Sequence, residues 1–289
     1  MKIVCLLLGS VLSILFIIFM FKGGREDSML EPLEGEDFPL KFLYSAGLAW
    51  QRIPFMRLRG RVSGKLHLET ALYYDEKYSE YYSRIIWAQA LTFAHLFPAV
   101  FLLLAAVMDE SMTMFLIAAG AAAGVLSAYY FLTHAGEKVK QMREECEQEF
   151  PNAISKLALL VNSGVILHDA WIMAAYGKEG TLYNIMRRAC EEMQTYGKSD
   201  IDAVYQFGMR TDSQEIKKFT SILIQSMEKG GGDLPSFLAK QSSELWEFKR
   251  QQMLQKGEKA AGALLAPVGL MFAGVMLIVL AAAMQSFSM

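Results

Sequence analysis

The chain of 289 residues is 53% hydrophobic and 20% charged, and its formal net charge is −2 at pH 7. This composition is too apolar for an ordinary soluble domain and indicates a membrane protein with sizeable polar regions. The small net charge gives no argument for binding nucleic acid, so no nucleic-acid partner is expected. The three cysteines are far apart and form no CxxC pair, which favours free thiols in a reducing compartment.

The chain begins with an uncharged apolar stretch, residues 3–21, that is long enough to cross the hydrocarbon core of a bilayer. A cleaved signal peptide is the alternative, because Lys2 precedes the stretch. No small-x-small cleavage motif follows it, however, and Lys22 and Arg25 flank its far end. We therefore expect residues 1–21 to form a transmembrane anchor with its N-terminus outside, while retention of the segment stays open.

Residues 22–85 are polar and are expected to form an N-terminal cytoplasmic helical region that opens with an acidic linker. A helical period runs from Leu68 into the next apolar span, and its tyrosines favour an interfacial belt or helix packing. A basic patch between the linker and this helix has two interpretations: binding to anionic lipid headgroups or a partner, or a positive flank that only fixes topology. The patch consists of Arg52, Arg57, Arg59, Arg61 and Lys65.

Residues 86–132 are expected to form a transmembrane hairpin whose first span contains Gln89, His95 and Pro98. Polar groups at that depth are functional candidates and motivate a transporter or channel subunit as an alternative function. A simpler interpretation is an interhelical hydrogen bond from His95 at a proline bend.

The second span of this hairpin has a small-residue motif, with Gly120 and Gly124 four positions apart. This spacing predicts a face where another helix packs closely.

The last apolar stretch predicts a transmembrane helix and short tail over residues 263–289. Of the 28 lysines and arginines, all but Lys2 lie in residues 22–85 or 133–262. The positive-inside rule then places both polar regions in the cytoplasm and both chain ends outside. The predicted fold is all-α: a multi-pass protein of the cell membrane with about four transmembrane helices and a cytoplasmic helical bundle.

Residues 133–262 form the predicted bundle, because their apolar residues recur with a helical period and no alternating strand pattern competes. We expect five or six short helices, with the last running directly into the final span. The clearest apolar stripe consists of Leu182, Ile185, Met186, Ala189, Met193 and Tyr196. Helix starts are indicated at Thr181, Ser199 with Asp202, Asp212 with Glu215, and Asp233, and helix ends at Gly164, Gly177, Gly197 and Gly230 to Gly232.

The bundle contains no recognisable catalytic motif: no phosphate-binding loop, no HExxH pattern and no GxSxG elbow. No enzyme activity, catalytic residue, cofactor or metal is therefore predicted. An acidic run of Glu144, Glu145, Glu147 and Glu149 is better explained as a solvated helix face than as a metal site. Neighbouring charges on one later helix make a candidate contact surface for a charged partner, and at helical spacing they favour surface ion pairs. These candidates are Arg187, Arg188, Glu191 and Glu192.

The segment FPNAISKLALLVNSGVILHDAWIMAA resembles the opening of the type II secretion system F domain. The resemblance covers residues 149–280 and rests on the order of features more than on any single motif. The positions that carry it are Pro151, Gly164, Gly197, Gly230, Gly231 and Pro267.

The resemblance implies a membrane platform protein of a type II secretion or type IV-like pilus machine. A single F domain behind a short N-terminal region is similar to the TadC and TadB proteins of tight-adherence systems, more so to TadC. The implied partners are a cytoplasmic secretion ATPase, a sister platform protein, pilin subunits and membrane lipid, in a homo- or hetero-oligomer. The missing phosphate loop is consistent with energy supplied by the ATPase.

Overall fold

A computed structural model describes residues 2–23, 29–33, 38, 40–195 and 197–287 of the chain. The side chains of residues 111, 260, 264, 266 and 281–287 are not described. Arg25, most of the acidic linker, Tyr196 and the last two residues lie outside the described residues.

Helices account for 86% of the described residues, and no strand occurs among them, which confirms the all-α prediction. Four helices, α1, α4, α5 and α10, are long and apolar enough to cross a membrane. The helices are α1 (Lys2–Gly23), α2 (Tyr44–Trp50), α3 (Gly60–Tyr73), α4 (Ser79–Val107), α5 (Glu110–Asn162), α6 (Leu167–Ala175), α7 (Thr181–Thr195), α8 (Asp200–Arg210), α9 (Gln214–Glu228) and α10 (Leu234–Phe287).

The chain divides into two compact units, each described here by itself. Unit 1 comprises residues 1–145 and 210–212, and unit 2 comprises residues 146–209 and 213–289. Helix α5 contributes to both units, because it continues without a break from the predicted span into the bundle.

In unit 1, the short helix α2 is packed against α1 and α4 so closely that six of its seven residues are buried. Gly47 makes this possible, since an ideal Cβ there would lie 2.0 Å from the carbonyl oxygen of Ala88 in α4. Beside it, the Gln89 side chain donates a hydrogen bond of 2.9 Å to the hydroxyl of Tyr44. The sequence alone did not indicate that this polar region folds against the apolar helices.

The predicted single helix from Leu68 into the second span is wrong, because the chain breaks between α3 and α4. Asp75 has a φ of 141°, a conformation that no helix contains, and a single 3₁₀ turn follows it. The break lets α4 fold back on α3, where the Thr70 hydroxyl bonds to the Ser79 carbonyl at 3.0 Å and the Ser83 hydroxyl at 2.8 Å. Both flanking segments are helical, and the spacing of their apolar residues continues across Asp75. The break therefore cannot be recognised from the apolar pattern.

The tyrosines near this break pack against one another, as the helix-packing interpretation requires. The rings of Tyr74 and Tyr82 are stacked with centroids 3.7 Å apart, and Phe38 lies against both. Offset-stacked and edge-on aromatic contacts stabilise such clusters beyond simple area burial. These rings line a hydrophobic core of unit 1 that also contains Tyr44, Leu66 and Ile85.

Unit 2 is a bundle of short amphipathic helices around an aromatic core. Trp171 of α6 meets Phe207 of α8 edge-on, with ring centroids 4.9 Å apart. Phe219 of α9 contacts Phe150 of α5 edge-on and stacks on Phe237 of α10. The side chains of one helix thus fill the space left by two others, which explains why each helix needs an apolar stripe.

Helix α10 runs 54 residues from the bundle into the last apolar stretch, which confirms the predicted continuous helix. Three hydrogen bonds join its first half to α5. Ser242 bonds to Ser155 at 2.8 Å, the Trp246 indole donates to Ser155 at 2.7 Å, and Lys249 donates to the Gln148 carbonyl at 3.0 Å. The two helices therefore pack antiparallel over this stretch.

The predicted helix boundaries are mostly correct. Helices α7 and α10 begin where Thr181 and Asp233 indicate, and the Ser199 hydroxyl accepts from the backbone N–H of Asp202 at 3.1 Å. The start at Asp212 is wrong: this residue has a φ of 51°, and Ser213 takes the N-cap position of α9.

Four of the glycines predicted to end helices have positive φ angles, a conformation that glycine adopts readily. They are the motif positions Gly164, Gly197, Gly230 and Gly231. At one of these ends, the backbone N–H of Gly231 reaches the Ser226 carbonyl at 2.9 Å, the six-residue bond of a Schellman motif.

Candidate functional site

Helix α7 carries all four charged candidates for partner contact, so its environment decides which of them a partner could reach. Its apolar stripe, from Leu182 to Met193, is buried in the bundle as the sequence predicted. The opposite face is exposed and polar.

Arg187 is used within its own unit. Its guanidinium donates to the carbonyls of Ala175 and Lys178, each at 3.1 Å, and to the Glu179 carboxylate at 2.8 Å. Ala175 ends α6, so Arg187 satisfies a carbonyl that the helix itself leaves without a partner. With its side chain only 18% exposed, Arg187 stabilises the connection between α6 and α7.

Glu192 has a similar structural role at the other end of α7. Its side chain is 11% exposed and accepts a hydrogen bond from the Lys198 ammonium at 3.2 Å. The backbone N–H of Lys198 also reaches the Glu192 carbonyl, which closes the loop after the helix. Arg188 and Glu191 remain exposed, three positions apart on the outer face of α7.

Two glutamates of the acidic run bind other helices of unit 2. Glu149 accepts a hydrogen bond of 2.9 Å from the backbone N–H of Leu182, in the first turn of α7. Glu147 accepts one of 2.8 Å from the Ser213 hydroxyl at the N-cap of α9. Carboxylates near helix N-termini are favourable because they meet unpaired N–H groups and the positive end of the helix dipole. The predicted solvated face therefore fits the exposed Glu144 and Glu147 better than Glu149, which is half-buried against α7.

The Glu149 contact has a measurable consequence. We expect Glu149→Ala to lower the free energy of unfolding of unit 2 by about 1 to 2 kcal/mol, because α7 loses its N-terminal acceptor. Glu144→Ala, in the same acidic run, is the control: its carboxylate is exposed, pairs with Lys140 four residues away at 3.8 Å, and should cost less than about 0.5 kcal/mol. Thermal unfolding of the two variants in the same detergent measures the difference, and equal costs would contradict the capping role.

Cys190, on the buried face of α7, is a poor nucleophile. Burial raises the pKa of its thiol to about 11, with the Glu191 carboxylate adding to the rise. The thiolate, which is the reactive form, is therefore scarce at neutral pH. Within the described part of the chain, no group of three or more His, Cys, Asp and Glu residues has the arrangement needed to hold a metal ion.

The polar residues of the second predicted span are engaged in packing within unit 1. The His95 ring nitrogen Nε2 lies 2.9 Å from the carbonyl oxygen of Leu12 in α1. The ring also stacks on Phe16 and contacts Trp50 with centroids 4.9 Å apart. This is the interhelical hydrogen bond that the simpler interpretation of His95 expects.

The GxxxG glycines of α5 lie directly against α4. An ideal Cβ on Gly120 would be 2.5 Å from the Cβ of Phe101, and one on Gly124 would be 2.9 Å from the Ala94 carbonyl oxygen. The Pro98 ring would also lie 3.0 Å from the ideal Cβ on Gly124. The two remaining motif positions, Pro151 and Pro267, lie inside α5 and α10.

Sequence reasoning missed a buried carboxylate in α3. The Glu69 side chain is 13% exposed, and Oε1 lies 3.6 Å from the Lys65 ammonium. Oε2 is buried without a hydrogen-bond partner among the described residues. Burial raises the pKa of Glu69, and the Lys65 charge opposes that rise. The adjoining cavity, also lined by His134, is only about 20 Å³, room for one water molecule.

The contacts between α5 and α10 were also missed, since Ser155 and Trp246 are 91 residues apart and neither has a sequence signal for pairing.

Residues 153–282 match the model of the family described as type II secretion system (T2SS), protein F. No curated protein and no solved structure matches the chain. The matched segment takes in most of unit 2 and the apolar part of α10, one of the four helices long enough to cross a membrane. Residues 153–282 are therefore similar to the type II secretion system protein F family, and the family match and the four long apolar helices together support a membrane protein.

Proposed function

We propose that this chain is a platform protein in the cell membrane of a type II secretion or type IV-like pilus machine, of the tight-adherence kind. It would couple a separate cytoplasmic ATPase to the assembly of pilin subunits, alongside a sister platform protein. The observation that carries this proposal is the match of residues 153–282 to the protein F family, whose members are membrane platform proteins.

In this proposal the chain crosses the membrane four times, with both charged regions in the cytoplasm. The distribution of lysine and arginine supports that orientation, since they lie almost entirely in residues 22–85 and 133–262. The apolar half of α10 supports it as well. Its described side chains are exposed almost without exception, as lipid or another membrane helix would require.

The bundle is suited to transmitting a displacement to the membrane. Helix α10 has no linker between the bundle and its apolar half, and Ser155 and Gln148 of α5 hold its first half through side-chain hydrogen bonds. A partner that moves the bundle would therefore move α10 as a rigid rod. Rigid helices of this kind carry coupling between distant sites without a flexible intermediate.

The exposed pair Arg188 and Glu191 is the proposed contact with the ATPase. Like charges placed opposite each other across an interface weaken association, so a reversal of both charges should weaken binding of the partner without unfolding α7. Neither side chain contributes to the buried core of unit 2.

The experiment compares two charge exchanges that leave the net charge unchanged. We expect Arg188→Glu with Glu191→Lys to reduce co-purification of the ATPase by roughly fivefold or more. The control exchanges Lys240 and Glu244, an exposed ion pair on α10 with 3.8 Å between its charged atoms. That variant should bind the ATPase like the wild type. If both variants retain the ATPase equally, α7 is not the contact; if the wild type itself retains none, the proposed coupling is refuted.

A further inference from the structure

Two cavities in unit 1 share Arg52 as a wall and differ in character. The first, about 740 Å³, lies beside the last turns of α1 and is lined there by Phe19, Phe21 and Lys22. Ile53 and Pro54 line its other side together with Arg52. The cavity thus offers apolar walls to one part of a ligand and two positive charges to another.

The second cavity, about 320 Å³, is predominantly polar. Arg52, Arg57 and Arg84 line it, together with hydroxyl and amide side chains such as Ser63 and Gln51. One carboxylate, Glu80, is also present, so the arginines outnumber the acid. Arginine is well suited to phosphate, because its planar group donates several hydrogen bonds in a fixed geometry.

The segment that forms both cavities is anchored to α4. The Gln51 amide donates to the Arg84 carbonyl at 2.7 Å, and the Trp87 indole donates to the Met56 carbonyl at 2.8 Å. The arginines therefore extend from a backbone that is already positioned, which lowers the entropy cost of binding.

The location of the cavities favours a membrane lipid over a soluble anion. Lys22 is the first charge after the uncharged stretch of α1, so it marks the end of the part that can cross a bilayer. Next to the cavities, the Phe55 side chain is 90% exposed, as expected of an aromatic group that inserts at the membrane interface. A phospholipid combines an apolar chain with a phosphate at this depth.

We propose that these cavities bind one anionic phospholipid. Its phosphate lies between Lys22 and Arg52, and its acyl chains lie along Phe19, Phe21 and Ile53. Its headgroup extends into the second cavity toward Arg57 and Arg84. The site would tie the polar region after α1 to anionic membrane, whichever machine the chain belongs to.

The test uses the full-length protein in detergent, with bound lipid counted by native mass spectrometry. Phosphatidylglycerol and phosphatidylcholine with identical acyl chains are added separately, and inorganic phosphate is added as a competitor. We expect phosphatidylglycerol to bind roughly tenfold more tightly than phosphatidylcholine, and Arg52→Gln with Arg57→Gln to weaken it by roughly 30-fold. Phosphatidylcholine has the same phosphate but no net charge, so its weaker binding should fall by a smaller factor.

Two further variants keep the result interpretable. Arg52→Lys with Arg57→Lys keeps both charges and should retain most of the binding, which separates charge from loss of folding. Lys218→Gln with Arg250→Gln removes two exposed charges from unit 2 and should bind like the wild type. Equal binding of the two lipids, or undiminished binding by the Arg52 and Arg57 glutamine variant, would overturn the proposal. Full displacement by millimolar phosphate would also overturn it, in favour of a soluble-anion site.

Discussion

Gly47→Ala is expected to destabilise unit 1 by about 3 kcal/mol or more, at the upper end of the overpacking range. The added Cβ would lie 2.0 Å from the carbonyl oxygen of Ala88 and 2.6 Å from the Thr92 hydroxyl. A backbone carbonyl inside α4 cannot move aside, so α2 would have to leave its place between α1 and α4. The bond from Gln89 to Tyr44 would be lost with it.

The control is the same substitution in α3. Gly64 also lies inside a helix, but nothing is within 4 Å of its ideal Cβ. Gly64→Ala should stabilise unit 1 by about 0.5 to 1 kcal/mol, because alanine is the better helix former. Thermal unfolding of both variants in one detergent should thus give shifts of opposite sign. A Gly47→Ala variant as stable as the wild type would show that α2 does not pack as described.

Trp171→Ala is expected to cost unit 2 about 3 to 5 kcal/mol in free energy of unfolding. The ring is 1% exposed and fills the space between α6 and α8, edge-on to Phe207. Removing it leaves a cavity that the surrounding helices can fill only in part.

Trp171→Phe should cost much less, below about 1.5 kcal/mol, because it keeps most of the ring volume. The Trp171 indole nitrogen is buried without a hydrogen-bond partner among the described residues, so the phenylalanine loses no bond. Chemical or thermal denaturation monitored by circular dichroism compares the two variants. Equal losses would mean that the indole nitrogen, and not the ring volume, is what the site needs.

Much of the helical architecture could be predicted because it depends on local patterns. The stripe on α7, the Ser199 cap and the glycine ends at Gly164 and Gly230 each express a preference of a few neighbouring residues. The continuous α10 was predicted as well, because the long last helix of the bundle reaches the start of the last apolar stretch.

The features that escaped prediction depend on contacts between distant residues. The turn at Asp75 exists because Thr70 binds Ser79 and Ser83 across it, and no local signal marks that contact. Helix α2 was hidden in a polar region because its burial depends on Ala88 approaching Gly47.

The candidate contact surface on α7 likewise depends on contacts between distant residues. Helical spacing placed Arg187 and Arg188 side by side, but only tertiary contacts distinguish them, since the first binds the end of α6 and the second is exposed. The groups that donate hydrogen bonds to Glu147 and Glu149 likewise belong to residues more than 30 positions away in the chain. A sequence pattern therefore indicates which face is charged, and the fold determines which charges a partner can reach.

Deleting the gene in its native host and measuring surface filaments and secreted protein tests the platform function most directly. We expect the deletion to abolish both outputs while the ATPase and the pilin subunits are still produced, and the wild-type chain supplied in trans to restore them. Gly64→Ala should restore them equally, and Gly47→Ala should not. Normal filaments and normal secretion in the deletion strain would contradict a platform role for this chain.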